Sequence, residues 1–284
     1  MNKEVLASII GREENPLDNE NDLEGLLHSR ILVTGGLGSL GQSISKIFDS
    51  KNLTYKLTDK DDCDVTSLDS LFEVFDSFKP THVLHLAADK HAPEGELDPE
   101  LTFKINTIGT LNLISLAQQF KTSITIASTC KSCDPETVYG SSKLIAERIV
   151  LNAGGVIARF FNVVDTSGNV FEIWNKVPPK EQIPVSECFR YFMTSQEACS
   201  LLIRCINLST AGTGRYIFEP GISHYMPDIA KRIFPERNLV IIPPRRGDRK
   251  VEPLKSASER LLKVEGRLIK VVSPHDPIIN NQQK

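Results

Sequence analysis

The stretch Thr34-Gly-Gly-Leu-Gly-Ser-Leu-Gly41 constrains this chain more than any other part of it. It stands between Ile31-Leu-Val, a short apolar run of strand type, and a segment whose Ile44, Ile47 and Phe48 share one helical face. Gly35, Gly38 and Gly41 are spaced three apart, and Gly36, Gly38 and Gly41 also satisfy G-x-G-x-x-G. In a strand–turn–helix setting each glycine has a task. The first permits a tight turn, the second lets a pyrophosphate approach the backbone, and the third packs the helix against the strand. The free N–H groups of the helix N-terminus then face the anion. The turn predicts a dinucleotide site on Gly35, Gly38, Ser39, Leu40 and Gly41. Asp59 follows about 20 residues later, where such sites place an acid that accepts from ribose hydroxyls, which favours NAD. Lys56 and Lys60 could serve a 2′-phosphate instead, which keeps NADP open, and Asp59-Lys-Asp-Asp62 also reads as a plain solvated turn. Asp64 and Val65 are expected beside the adenine.

From Arg30 onward short apolar runs alternate with helical ones. Strands are expected at Ile31–Val33, Leu53–Thr58, His82–Ala88, Ser123–Ser128 and Val156–Phe161. Helices are expected over about 99–119, 138–151, 195–207 and 226–233. Another helix, opened by a capping box at Thr66-Ser-Leu-Asp69, would bury Leu68, Leu71, Phe72, Phe75 and Phe78. This alternation predicts an α/β fold, a Rossmann-type doubly wound parallel sheet with right-handed crossovers and a smaller C-terminal substrate domain. Residues 1–29 read as an N-terminal extension and 30–163 as the dinucleotide-binding domain. Residues 164–284 read mainly as the substrate-binding region, with segments near 194–222 returning to the sheet.

Composition narrows the function classes. Thirty-three basic against 36 acidic side chains give a formal net charge of -3, which argues against reading a nucleic acid through a basic face. Six irregularly spaced cysteines suit a reducing compartment rather than a disulfide framework. No apolar run reaches the ~18 residues of a membrane span, and the start lacks a signal-peptide segment, so a cytoplasmic protein is expected. No metal site is expected: Cys130-Lys-Ser-Cys133 has no second ligand pair near it, although a redox pair there is conceivable. His82 and His85 read as satisfied core groups.

Tyr139-Gly-Ser-Ser-Lys143 puts a phenol and an ammonium on one helix face. The lysine should favour the phenolate, which then takes a hydroxyl proton while hydride leaves for a nicotinamide. Ser128-Thr129 ends the preceding strand. With the glycine turn, Thr129, Tyr139 and Lys143 resemble the constellation of short-chain dehydrogenase/reductases.

A narrower resemblance follows. His85-Leu-Ala-Ala-Asp-Lys-His-Ala-Pro93, Asn106-Thr-Ile-Gly109-Thr, Ser128-Thr-Cys-Lys131, Arg159-Phe-Phe-Asn162, Arg190-Tyr-Phe-Met-Thr194 and Arg245-Arg-Gly-Asp-Arg249 with Glu252 all match one group. Ile10-Gly-Arg12 with Leu17-Asp18 looks like the leader found in membrane-linked members. The chain resembles extended short-chain dehydrogenase/reductases of the UDP-N-acetylglucosamine 4,6-dehydratase, polysaccharide-biosynthesis type. The resemblance implies a recycled NAD or NADP that takes hydride from sugar carbon 4, with Tyr139 as base. Lys131 would then remove the carbon 5 proton, and position 130 would protonate the departing 6-hydroxyl before hydride returns to carbon 6. It further implies that Ala87, Ala88, Lys90 and Asn106 adjoin the cofactor. Lys90 and His91 would lie near the sugar, and Asn162, Arg190, Arg245 and Asp248 would hold the UDP. Arg190 could equally pair with a carboxylate inside the fold. A homo-oligomer, dimer or hexamer, is also implied.

Two departures stand out. Cys130 replaces the usual Asp, and a thiol with a pKa of about 8.5 still carries a proton at neutral pH but lacks the second carboxyl oxygen. The Leu53–Val65 stretch is shorter than in relatives and lacks their Ser-Arg for an adenosine phosphate. A UDP-sugar 4-epimerase or 4-keto-sugar reductase needs only Thr129, Tyr139, Lys143 and the cofactor. A non-catalytic NAD(P)-binding regulatory or redox module is the alternative of another class.

Overall fold

The computed structural model describes residues 3–90, 92–244 and 248–277 of the chain. Helices α1 (Lys3–Ile10) and α2 (Glu20–Gly25) lead into β1 (Arg30–Thr34), α3 (Ser39–Ser50), β2 (Thr54–Thr58), α4 (Leu68–Phe78) and β3 (His82–His85). Next come α5 (Ala92–Leu97), α6 (Pro99–Phe103), a π-helical turn over Lys104–Ile108 and α7 (Gly109–Gln119). They are followed by β4 (Ser123–Thr129), a 3-10 turn over Cys130–Ser132, α8 (Val138–Asn152) and β5 (Val156–Phe160). The chain continues through β6 (Asn162–Val163), α9 (Val170–Lys176), β7 (Ile183–Ser186), β8 (Phe189–Arg190), β9 (Phe192–Met193) and α10 (Ser195–Leu208). It ends with β10 (Gly214–Phe218), β11 (His224–Tyr225), α11 (Met226–Ile233), β12 (Leu239–Ile242), β13 (Arg260–Glu265) and β14 (Leu268–Val272).

Eight strands make one sheet in the order β13-β14-β10-β5-β4-β3-β1-β2, parallel from β2 to β10. Alternate residues of β1 part to its two faces, as the period of a strand requires. Ile31 and Val33 join Ile44 and Phe48 of α3 and Leu201, Leu202 and Ile206 of α10. Leu32 joins Leu71 and Phe75 of α4, Leu113 of α7 and Val150 of α8. Burying each such Leu, Ile or Phe contributes about 1.5–3 kcal/mol, so the two layers hold the doubly wound sheet together. A third cluster, with Phe171, Trp174, Ile183, Val185, Phe192, Met226 and Ile229, supports the lobe beyond β5. Among the described residues, no helix is long and apolar enough to cross a membrane.

Several local expectations change. Ser67, not Thr66, caps α4: its Oγ accepts from the Ser70 N–H at 3.3 Å, while Thr66 Oγ1 donates to Asp64 at 2.8 Å. That start turns Leu71, Val74 and Phe75 inward and leaves Leu68 and Phe72 exposed. The strand expected to reach Ala88 ends at His85; beyond it the Leu86 N–H still donates to the Thr34 carbonyl at 2.9 Å. The helix expected over 99–119 is interrupted by the π-helical turn.

The sheet also takes in more of the C-terminal part than residues 194–222. α10 packs on it and β10 pairs in parallel with β5, while β14 pairs antiparallel with β10 and β13 forms the edge. The N-terminal segment is packed rather than appended. Leu23 and Leu26 sit in the main core, Ile9 and Ile10 sit in the third cluster, and Arg12 forms a two-pronged ion pair with buried Glu197 of α10.

Candidate active site

A cleft of about 1070 Å³ opens over the carboxyl ends of β1, β3, β4 and β5, reaching the third cluster on its far side. In a sheet of this winding, ligands bind outside the carboxyl ends of the strands where strand order reverses, here between β1 and β3. Gly35, Gly38, Ser39, Leu40 and Gly41 line it. Gly35 has φ +67, and a Cβ there would stand 2.5 Å from the Ala87 nitrogen. A Cβ on Gly41 would meet the Gly36 carbonyl oxygen at 2.2 Å, so α3 can press against the turn only without one. Gly38 is the N-cap of α3, whose first N–H groups have no intrahelical partner. Beneath the turn, buried His85 bridges Thr34 Oγ1 at 2.7 Å and Thr110 Oγ1 at 3.2 Å. Burial lowers its pKa to about 3, so it is a neutral tie between β1, β3 and α7.

Asp59, Asp64, Val65, Ala87, Ala88 and Lys90 line the same cleft. Asp59 accepts from the Leu37 N–H at 3.3 Å and the Lys60 N–H at 2.8 Å, which fixes it at the mouth of the glycine turn. Lys90 donates to the Ser167 carbonyl at 3.4 Å across the cleft. Asn106 departs from its expected role. It is fully buried, and its amide accepts from the Asp89 N–H and donates to Asp89 O and Ser142 Oγ. It therefore shapes the loop after β3 and ties it to α8, and it does not line the cleft.

At the other end, Thr129 closes β4 and Thr137 caps α8 by accepting from the Gly140 N–H at 3.0 Å. This start places Tyr139 and Lys143 one turn apart, both buried and both on the cleft wall with Thr129. The expected depression of the phenol pKa is not found. Burial pushes Tyr139 up, with the Thr129 hydroxyl acting against it and Cys130 and Asp89 adding to it. Burial lowers Lys143 to about 8, with Glu147 opposing. Desolvation thus dominates at Tyr139 and favours the neutral phenol.

Glu252, 2% exposed, is a residue that pattern reasoning quoted within a motif but gave no role. Four side chains converge on its carboxylate. Lys131 Nζ and Arg190 Nε (3.3 Å) reach Oε1, while Asn162 Nδ2 (2.8 Å) and Cys130 Sγ (3.6 Å) donate to Oε2. Arg190 also approaches Asp248 at 3.6 Å, so it both lines the cleft and pairs with carboxylates in the fold. Lys131, Asn162 and Asp248 line the cleft, but Cys130 is 3% exposed and is not part of the lining. Burial pushes the Cys130 thiol up, which keeps it protonated. Cys133 is a free buried thiol whose Sγ accepts from Arg159 at 3.2 Å. His91 and Arg245 lie outside the described residues.

Below this wall lies a second cluster that pattern reasoning missed. Glu147 of α8 accepts from Ser128 (2.6 Å) and Ser132 (2.8 Å) and pairs with Arg159 and Arg215 at 2.7 Å each. Glu259 completes it with Arg159 at 2.8 Å. Its members come from four separate segments, so no local spacing announces it.

Comparison with known proteins places this geometry. The polysaccharide biosynthesis protein family matches residues 56–273. The chain belongs to that family. The capsular polysaccharide biosynthesis protein CapD of Staphylococcus aureus is 29% identical over 269 residues, covering 82% of this chain and 45% of that protein. A UDP-N-acetylglucosamine 4,6-dehydratase (inverting) of Campylobacter jejuni is 24% identical over 286 residues, 89% of this chain and 85% of that one. The chain thus spans about half the length of CapD, and most of the dehydratase. A solved UDP-glucose 4-epimerase of Thermus thermophilus, in complex with NAD, superposes with a TM-score of 0.69. It is 21% identical, over 80% of this chain and 90% of that one. The chain therefore shares the fold of that epimerase, a doubly wound parallel sheet.

Proposed function

We propose that the protein is a nucleotide-sugar 4,6-dehydratase that uses a recycled nicotinamide dinucleotide and acts on a UDP-sugar, UDP-N-acetylglucosamine being the first to test. The observation that carries this is one cleft lined by the glycine turn, the Thr129–Tyr139–Lys143 set and Lys131, whose ammonium pairs with Glu252 buried behind the wall. Redox at carbon 4 needs the first two, and an elimination needs an acid–base pair beside them.

The chain fits the dinucleotide: Gly35 and Gly41 make a cradle that a Cβ would fill, and α3 aims its N-terminus into the cleft. When bound, the nicotinamide supplies the hydride acceptor at sugar carbon 4 and the hydride donor at carbon 6. Asp59 holds the adenosine ribose by accepting from its hydroxyls, which favours NAD, with Lys60 beside it. Lys143 would hold the nicotinamide ribose, and its ammonium would favour the phenolate form from which Tyr139 acts as base. Tyr139 then takes the hydroxyl proton from carbon 4 while Thr129 orients that oxygen. Lys131 removes the proton on carbon 5, now acidified by the adjacent ketone, and a proton from Cys130 leaves with the 6-hydroxyl as water. Asn162, Arg190 and Asp248 line the far end and hold the UDP, and Lys90 reaches the sugar.

A homo-oligomer fits Leu111 of α7 and Ile145 of α8, apolar residues 44% and 42% exposed. The test is to incubate the purified protein with UDP-N-acetylglucosamine and NAD or NADP and follow product mass. Loss of water supports the dehydratase. Unchanged mass with a new 4-epimer assigns an epimerase instead, the reading favoured by the placement of Cys130 off the cleft lining.

A further inference from the structure

The Glu252 carboxylate has four donors on two oxygens, which fills the lone-pair sites of an ionised carboxylate. The division of these donors matters. Lys131, the base of the proposed elimination, is on Oε1, and Cys130, the acid, is on Oε2. A lysine held by a buried carboxylate is an ammonium and cannot remove a proton until it has lost one. A buried thiol that gives up its proton must regain one before the next turnover.

Resting on the dehydratase reading, we infer that Glu252 is the positioning residue that moves one proton between Lys131 and Cys130 in each cycle. In the resting state Lys131 is an ammonium, Glu252 a carboxylate and Cys130 a thiol. When substrate fills the cleft and water leaves, the Lys131 proton passes to Glu252 Oε1, giving a neutral amine and a carboxylic acid. Loss of solvent favours this neutral pair over the ion pair. The amine then takes the carbon 5 proton, the electron pair of that C–H bond forms the carbon 5–carbon 6 double bond, and the carbon 6–oxygen bond breaks. The leaving oxygen takes the Cys130 proton and departs as water. Ammonium, carboxylic acid and thiolate remain. The carboxyl group turns about its terminal torsion, which is soft and two-fold, and hands its proton to the thiolate. All three groups are then as they began, and the net change of the elimination is transfer of the carbon 5 proton to the departing hydroxide. The proton that carbon 5 regains as hydride returns to carbon 6 is supplied in balance by the one Tyr139 took from the carbon 4 hydroxyl.

Glu252 also sets the resting charge. Facing Cys130 are Lys131 and Arg190 with positive charge, Cys133, and Tyr139; Glu252 faces it with negative charge, and Asp248 meets the far side of Arg190. Without the carboxylate, only burial and Cys133 oppose the two cations at the thiol.

The test is Glu252→Gln, which keeps the side-chain shape but cannot carry the proton, with Glu252→Asp as a second variant that can. Cofactor reduction by the nucleotide sugar reports the carbon 4 step, and product mass reports loss of water. Dehydration is expected to fall about 100-fold or more in the Gln variant, the range of a lost proton transfer. Carbon 4 oxidation should fall far less, with partial recovery of dehydration in the Asp variant. A merely structural role would lower both steps together, and a parallel fall overturns the inference. Cys130 ionisation, followed by thiolate absorbance against a Cys130→Ser background, needs no turnover. It should shift to lower pH by about 1 unit or more in the Gln variant. An unchanged titration overturns the inference. Wild-type protein that reduces the cofactor but never loses water overturns the dehydratase reading separately.

Discussion

Gly35 shows how a single position can carry a binding site. Its φ of +67 lies where side chains are strained, and a Cβ would press on the Ala87 backbone at 2.5 Å, so neither neighbour can yield without moving β3's exit loop. Gly35→Ala is expected to cost about 1–3 kcal/mol of stability from the strained backbone alone. It should also weaken dinucleotide binding about tenfold or more as the turn shifts, measured by calorimetric titration with NAD and NADP. Unchanged affinity would show that the turn is not the phosphate cradle. Gly35 was legible from sequence because its demand is local: a strand, a turn and a helix within a dozen residues. Tyr139 and Lys143 were legible for the same reason, one helical turn apart. Glu252 was not, since its contact with Lys131 spans 121 residues and no helix or strand period links the two. Sequence shows the lysine four residues on from Tyr139 but not the burial that raises the phenol's pKa.

Between elements, the buried Glu147–Arg159–Arg215–Glu259 cluster joins α8, β5, β10 and the segment before β13. Glu147 also holds Ser128 and Ser132, so the cluster underlies the turn that carries Cys130 and Lys131. Burial alone would raise the Glu147 pKa, but Arg159 and Arg215 outweigh it and hold it at about 2, below the ordinary value of 4.5. A carboxylate depressed in this way stabilises the fold fully above about pH 4.5, and that contribution is lost as pH falls from there toward 2. Thermal unfolding across this range should show Tm dropping in the wild type. Glu147→Gln should start lower, because it leaves two arginines short of a counter-charge, and should depend less on pH. Equal pH dependence in both proteins would contradict this assignment. Helix and strand positions followed from apolar spacing, which is why α10 and α11 were anticipated. The β13–β14 hairpin was not: β13 is exposed along its whole length, so it carries no alternation to read.

At the scale of the molecule, the sheet reverses strand order beside β1, and this opens the cleft between the glycine turn and the lobe built on Trp174 and Phe171. The winding was legible from alternating runs. The route by which residues 260–272 return to the sheet edge depends on pairing with β10, a long-range contact. One cleft thus brings together a hydride-transfer set and Lys131, with Cys130 and Glu252 buried behind the wall, and the proposed reaction requires all of them to act on one sugar. The most direct measurement uses UDP-N-acetylglucosamine labelled with deuterium at carbon 4, incubated with the protein and unlabelled NAD or NADP. A 4,6-dehydratase will give a product that has lost water and carries the deuterium at carbon 6. Deuterium retained at carbon 4 in a 4-epimer of unchanged mass, or full recovery of unaltered substrate, would contradict it.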